Sequence, residues 1–146
     1  MKIGNIYLDH IGIAAHSLDE GGHFWNLIGL IQSEQDEAND EQGVNIRFFS
    51  TDGNAGNPIA PRIELLEPQS PDSPIGRFLE KRGPGVQQIC FRVDDIIAMI
   101  EYLMANGIRM IDETPKRGAS GCKIAFVHPS STGGVLVELS QHESLN

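Results

Sequence analysis

The order of apolar runs and turn signals repeats once along this chain, and the repeat narrows the folds open to it. The order is strand, helix and three short strands; a linking helix follows, and the same order begins again. Residues 6–15 alternate as a strand, with Ile6, Leu8, His10, Gly12 and Ala14 on one face. Ser17, with Glu20 three residues on, opens a helix to about residue 28, whose apolar set is Leu18, Phe24, Trp25 and Ile28. Gly29 ends it. Residues 30–35 form a short strand. Residues 34–41, with five acids in eight positions, read as a solvated strand end and turn. Residues 44–50 and 62–66 are strands, separated by a Gly-, Asn- and Pro-rich loop over 51–61.

The linking helix starts at Ser73-Pro74, carries Ile75, Phe78 and Leu79 on one stripe, and breaks at Gly83-Pro84-Gly85. The second half opens with a strand over 86–93. Asp94 or Asp95 then caps a helix to residue 106, with Ile96, Ile97, Ile100, Leu103 and Met104 at helical spacing and Gly107 behind it. A short strand over 108–111 and a loop over 112–121 lead to a hairpin whose apolar runs, 124–127 and 135–139, flank a turn rich in Pro, Ser, Thr and Gly. The modules span about 5–68 and 85–141, with the linking helix at about 73–83, in one domain of 146 residues.

Gln88 stands in the second half where His10 stands in the first, and Glu138 where Glu64 stands. The offsets are 88 − 10 = 78 and 138 − 64 = 74. Glu138 sits among Leu136, Val137 and Leu139, and a carboxylate buried there is costly unless it is paired or bound to a metal. Taken singly the four residues have bland readings: a satisfied sheet histidine, a core amide and two strand-edge acids. Their matched positions favour one site of an imidazole, an amide oxygen and two carboxylates. Such a set suits Zn, Ni, Co, Mn or Mg with room for water or substrate. His128 and Pro129 shape the turn at a strand end, and His16, His23 and His142 read as surface residues.

Net charge is −9 with no basic stripe, which argues against nucleic acid and anionic membranes as partners. No apolar run has transmembrane length, and no signal-peptide pattern opens the sequence. Cys90 and Cys122 are not a disulfide framework; Cys90 reads as a core residue, and the cytoplasm is the expected location.

Four stretches then resemble a known family: Asp9-His10-Ile11-Gly12-Ile13-Ala14; Ile63-Glu64-Leu65-Leu66-Glu67-Pro68; Ser73-Pro74-Ile75 with Phe78-Leu79-Glu80-Lys81-Arg82-Gly83; and Ala125-Phe126-Val127-His128-Pro129 through Thr132-Gly133-Gly134-Val135-Leu136-Val137-Glu138-Leu139. Ile111-Asp112-Glu113, Pro115, Gly118-Ala119 and Gly121 also fit. The chain resembles the methylmalonyl-CoA epimerases of the vicinal-oxygen-chelate superfamily, which also holds glyoxalase I, over about residues 6–141. The resemblance implies an α+β fold: two pseudo-symmetric βαβββ modules in a curved, mostly antiparallel sheet cleft with helices outside and a divalent metal between the modules. It implies His10, Glu64 and Glu138 as ligands. Two departures stand out. Gln87-Gln88 occupies the place of a His-His pair that holds the fourth ligand; some glyoxalase I enzymes use one His, one Gln and two Glu, with the Gln in the other half. No carboxylate lies between residues 44 and 51, where relatives can carry a catalytic base.

Both family chemistries remove a proton beside a carbonyl. With the strand carboxylate missing, Glu138 and Glu64 are the expected bases, serving as ligands and proton carriers. Lys116, Arg117 and Lys123 surround the Gly118-Ala119-Ser120-Gly121 loop, whose N–H groups suit a carboxylate or thioester oxygen; Ser130, Ser131 and Thr132 add hydroxyls. Ordinary solvated loop residues are the bland alternative. The leading expectation is a metal-dependent epimerase acting on an acyl-CoA or related thioester, as a homodimer by analogy. A lactoylglutathione lyase-like metalloenzyme and a non-catalytic small-molecule binder of the same fold are the alternatives.

Overall fold

The structure, a computed structural model, describes residues 4–52, 57 and 59–143; residues 53–56 and 58 of the expected 51–61 loop lie outside them. The described residues hold nine strands and three helices. They fall into two compact units, His10–Gln87 and Met1–Asp9 with Gln88–Asn146. The division runs inside the first strand of each module: the linking helix and Gly85–Gln87 go with the first unit, and residues before His10 with the second.

In the His10–Gln87 unit, β1 (Ile6–Ala14) pairs in parallel with β5 (Arg62–Pro68), which pairs antiparallel with β4 (Val44–Ser50). Two short strands, β2 (Ile31–Gln32) and β3 (Glu37–Asn39), share the far edge of β4. The expected strand over 30–35 is thus only two residues long, and the acid-rich stretch expected as a solvated strand end and turn contains β3. Glu37-Ala38-Asn39 shows no apolar alternation because an edge strand is held by backbone pairing. Helix α1 (Leu18–Leu27) is capped by Ser17, which accepts from the Glu20 N–H at 3.1 Å. It packs through Leu18, Gly22 and Trp25 on a core with Phe49, Ile63 and Leu65. Phe24 and Ile28, expected to face that core, are exposed instead. The reason is the Gly21–Gly22 pair: added Cβ atoms would stand 2.7 Å from Ala15 and 3.2 Å from Phe49, so the bare glycine face lies closest to the sheet. Helix α2 (Pro74–Arg82) starts where Ser73 accepts from the Gly76 N–H.

The other unit repeats the plan. Strand β6 (Gly85–Val93) pairs in parallel with β9 (Val137–Gln141), β9 antiparallel with β8 (Lys123–Val127), and β8 with β7 (Lys116–Arg117). Helix α3 (Ile96–Ala105), capped by Asp95, closes a core of Val93, Ile96, Ile100, Ala125, Val127 and Leu139. Residues 108–111 make only one bridge, Met110 to Val127. The Asp112 carboxylate accepts the Phe126 N–H at 2.8 Å, taking the amide a longer strand would have used. Val135 and Leu136 stay outside β9: Gly133 and Gly134 both have positive φ, and the Thr132 hydroxyl accepts the Val135 N–H, so the turn runs on.

Candidate functional site

Within the first unit, Ile63 and Leu65 face α1, so the pleat sends Glu64 between them to the other face. Register places Phe48 beside Glu64 on one side and Gly12 on the other. His10, two residues before Gly12, shares that face, and its Nδ1 lies 3.0 Å from Glu64 Oε2. His10 is 5% exposed and Glu64 2%. The same Oε2 accepts from the Arg62 guanidinium at 2.9 Å, and Arg62 lies over the Phe48 ring, 4.8 Å from its centroid.

Within the second unit the row is Phe126, Glu138 and Cys90. Leu139 joins the α3 core and Val137 packs against it, which turns Glu138 to the opposite face. Gln88 Nε2 donates to Glu138 Oε1 at 3.1 Å, and both residues are buried. The bond turns the amide oxygen away from the carboxylate. Lys116 Nζ rests 5.1 Å from the Phe126 centroid and 3.2 Å from Asp112 Oδ1. Phe48 and Phe126 differ by 126 − 48 = 78, the offset of His10 and Gln88, so the repeat holds at the level of strand register. Each unit thus carries a buried polar pair, His10–Glu64 or Gln88–Glu138, at matched positions.

The loop residues are placed as follows. Gly118 N–H donates to Cys122 O, and Gly121 N–H to Gly118 O, so these two amides close the loop on itself. Ala119 opens a short 3₁₀ turn, and Ser120 has φ 57°. Lys123 is exposed opposite Gln141. Ser130 N–H donates to His128 Nδ1, Ser131 Oγ accepts from Arg109 N–H, and the Thr132 hydroxyl donates to Pro129 O. His128 therefore shapes the turn as expected.

His142 is a correction. Its side chain is only 26% exposed, its Nε2 lies 2.8 Å from Asp9 Oδ1, and its Nδ1 meets the Arg92 guanidinium. Asp9 is nearly buried, so imidazole and guanidinium both serve its charge. Nothing local marks this contact, because β1 and the end of the chain meet only through the fold. Arg62 was likewise missed, although its place two residues before Glu64 on one strand put it on the same face. On the opposite face of β4, Arg47 pairs with Asp36 at 2.8 Å and Asp19 at 2.9 Å beside a cavity of about 330 Å³.

Residues 9–126 match the Glyoxalase/Bleomycin resistance protein/Dioxygenase superfamily. Methylmalonyl-CoA epimerase, mitochondrial, of Dictyostelium discoideum is 39% identical over 149 residues, covering 96% of this chain and 85% of that one. Among solved structures, the methylmalonyl-CoA epimerase of Mycobacterium tuberculosis aligns with a TM-score of 0.87 at 36% identity, over 99% of this chain and 93% of that one. A methylmalonyl-CoA epimerase in complex with methylmalonyl-CoA and NH4+ aligns with a TM-score of 0.86 at 35% identity, over 96% of each chain. These likenesses support the epimerase reading over the glyoxalase I reading. The chain belongs to the Glyoxalase/Bleomycin resistance protein/Dioxygenase superfamily, beside relatives that are methylmalonyl-CoA epimerases.

Proposed function

We propose that this protein epimerises the α-carbon of an acyl-CoA bearing a carboxylate there, with methylmalonyl-CoA as the first substrate to test. The observation that carries the reading is the pair of buried carboxylates, Glu64 and Glu138, on register-matched rows, each joined to a further donor residue. Buried carboxyl groups so arranged fit a divalent cation: two carboxyl oxygens, one imidazole and one amide oxygen form a hard-to-borderline set. His10 and Glu64 of one unit and Gln88 and Glu138 of the other are the proposed ligands. A divalent cation bound there supplies positive charge as the enolate oxygen develops. Its identity among Co, Zn, Ni, Mn and Mg is a matter for metal analysis.

The chain's own residues handle the proton. A carboxylate oxygen of Glu138 takes the α-proton; the C–H electron pair moves into the carbonyl, giving a planar enolate. Glu64, protonated at the start of this half-reaction, gives its proton to the other face, which leaves Glu64 ionised and Glu138 protonated, so the roles reverse for the opposite epimer. No Asp or Glu lies on β4 to compete for either role. Residues 116–123 and 130–132 are proposed to hold the acyl-CoA, and Lys116 on the Phe126 ring brings positive charge beside the Glu138 row.

Solvent exchange tests this reading. Metal-reconstituted protein is incubated with methylmalonyl-CoA in D2O, and deuterium at the α-carbon is followed. Wild type is expected to exchange, Glu138→Ala to lose exchange, and Glu64→Ala to lose most of it. Exchange retained in both variants removes the proton assignments. Bound metal without exchange in wild type points to a different substrate, and neither metal nor exchange points to a binding protein.

A homodimer and a cytoplasmic location belong to the same proposal. Phe24, Leu27 and Ile28 form an exposed apolar row on α1, which a second copy would cover. Two cysteines in 146 residues make no disulfide framework, in keeping with a reducing compartment. No helix among the described residues is long and apolar enough to cross a membrane.

A further inference from the structure

Two cations face each other across the β7–β8 hairpin. Register sets Arg117 of β7 directly opposite Lys123 of β8, and both residues are exposed. Like charges placed directly opposite on one face of a sheet repel and weaken the pairing. Acids outnumber Lys and Arg by 20 to 11 in this chain, and Arg47, Arg92 and Lys116 each have a carboxylate partner. Among the described residues, neither Arg117 nor Lys123 has one. A charge on a short outer strand such as β7 keeps that edge from pairing with another chain. Arg117 alone does this; the task calls for no second cation on β8, which is paired on both sides. Gly118 N–H donates to Cys122 O at 2.8 Å just beyond the pair, so the closed hairpin holds the two backbones side by side.

The pleat separates this pair from its neighbour Lys116. Ala125 and Val127 join the α3 core, so Lys123, in phase with them, and Arg117 opposite it share the α3 face. Lys116 lies on the Phe126 ring, on the Glu138 face. A ligand that leaves the Glu138 row past Lys116 and turns over the β7 edge therefore reaches Arg117 and Lys123. An acyl-CoA has that form: a thioester at one end, a long flexible arm, and a phosphorylated nucleotide at the other. Its 3′-phosphate is a monoester with about −1.5 to −2 charges near neutral pH, which two cations match. We propose that Arg117 and Lys123 bind the 3′-phosphate of the coenzyme A nucleotide, so that the nucleotide end is held on the β7–β8 hairpin, away from the Glu138 row. This inference deepens the acyl-CoA reading and rests on it.

Coenzyme A and 3′-dephospho-coenzyme A differ only in that phosphate, and calorimetry with the metal-reconstituted protein compares them without reference to the acyl group. Wild type is expected to bind coenzyme A roughly tenfold more tightly, the worth of one charge-assisted contact. The double variant Arg117→Gln/Lys123→Gln is expected to bind both alike, at the wild-type affinity for the dephospho form. Its melting temperature without ligand should equal or exceed that of wild type, because the like-charge pair is gone. A wild type indifferent to the phosphate, or a double variant that keeps the preference, overturns the inference. Exchange in D2O decides the epimerase reading separately. A phosphate preference without exchange leaves a coenzyme A site on a protein of another activity. Exchange without the preference sinks the Arg117–Lys123 site alone. Wild type that binds neither form of coenzyme A ends the inference together with the acyl-CoA reading.

Discussion

At the scale of single residues, one amide separates this chain from the pattern it resembles. Gln88 donates to Glu138 from Nε2, and in the proposed site its oxygen is the ligand atom. An amide oxygen is neutral and a weaker donor than imidazole toward zinc or cobalt. Gln88→His is therefore expected to tighten zinc or cobalt binding by about tenfold, within the range that ligand-sphere changes produce. Competition against a chromogenic chelator measures it, and unchanged affinity would remove Gln88 from the ligand set. The residues of this site were legible in the sequence because each carries a chemically expensive group in an apolar strand. The partners of those residues were less so: Asp9 with His142 joins positions far apart in the chain, with no local pattern to announce the contact.

At the scale of elements, β3 is held to β4 partly by charge. Arg47 hydrogen-bonds Asp36 through Nε and a terminal nitrogen, and this holds the Asp36 carboxyl below the usual carboxylate range. The two acids in turn raise the Arg47 guanidinium above its ordinary value, Asp36 contributing most. Because the folded-state value of Asp36 is depressed, its contribution is present above an unfolded value of about 3.9 and is lost as pH falls through the folded value. Asp36 is 37% exposed on its side chain, so solvent screening limits the effect to under about 1 kcal/mol. Asp36→Asn is accordingly expected to be slightly less stable than wild type in denaturant melts near neutrality. The gap should close in acid; a gap that widens there contradicts the assignment. Sequence periodicity found β1, β4, β5, β6 and all three helices, since buried faces and caps leave period and punctuation. It missed β3 and β7 and overextended the strand at 108–111, because short edge pieces are fixed by the backbone of a neighbour and not by their own side chains.

At the scale of the whole molecule, the proposed ligands lie far apart in the chain, so metal binding by them would be linked to folding. Free metal at one hundred times its Kd stabilises the folded state by about 2.7 kcal/mol. For a chain near 150 residues that raises Tm by roughly 5–10 °C. His10→Ala and Glu138→Ala should each lose most of the shift in a thermal melt with and without metal. An undiminished shift in both would place the metal elsewhere. The dimer is tested by light scattering: the 16.0 kDa chain should run at twice its mass, and Leu27→Glu, which charges the most exposed residue of the α1 apolar row, should return it to monomer. A wild-type monomer ends that part of the proposal.

The sequence by itself determined the repeat, the helix starts at Ser17 and Ser73, and the polar residues His10, Glu64, Gln88 and Glu138 set among apolar neighbours, because periodicity, capping chemistry and the cost of burying charge all act within a few residues. Only the tertiary structure decided which side chains meet across strands. Strand register set Phe48 and Phe126 beside the two glutamates, laid Arg62 on one ring and Lys116 on the other, and drew His142 onto Asp9. Those contacts depend on pairing between distant segments, and a shift of one residue in that pairing would send every one of these side chains to the opposite face.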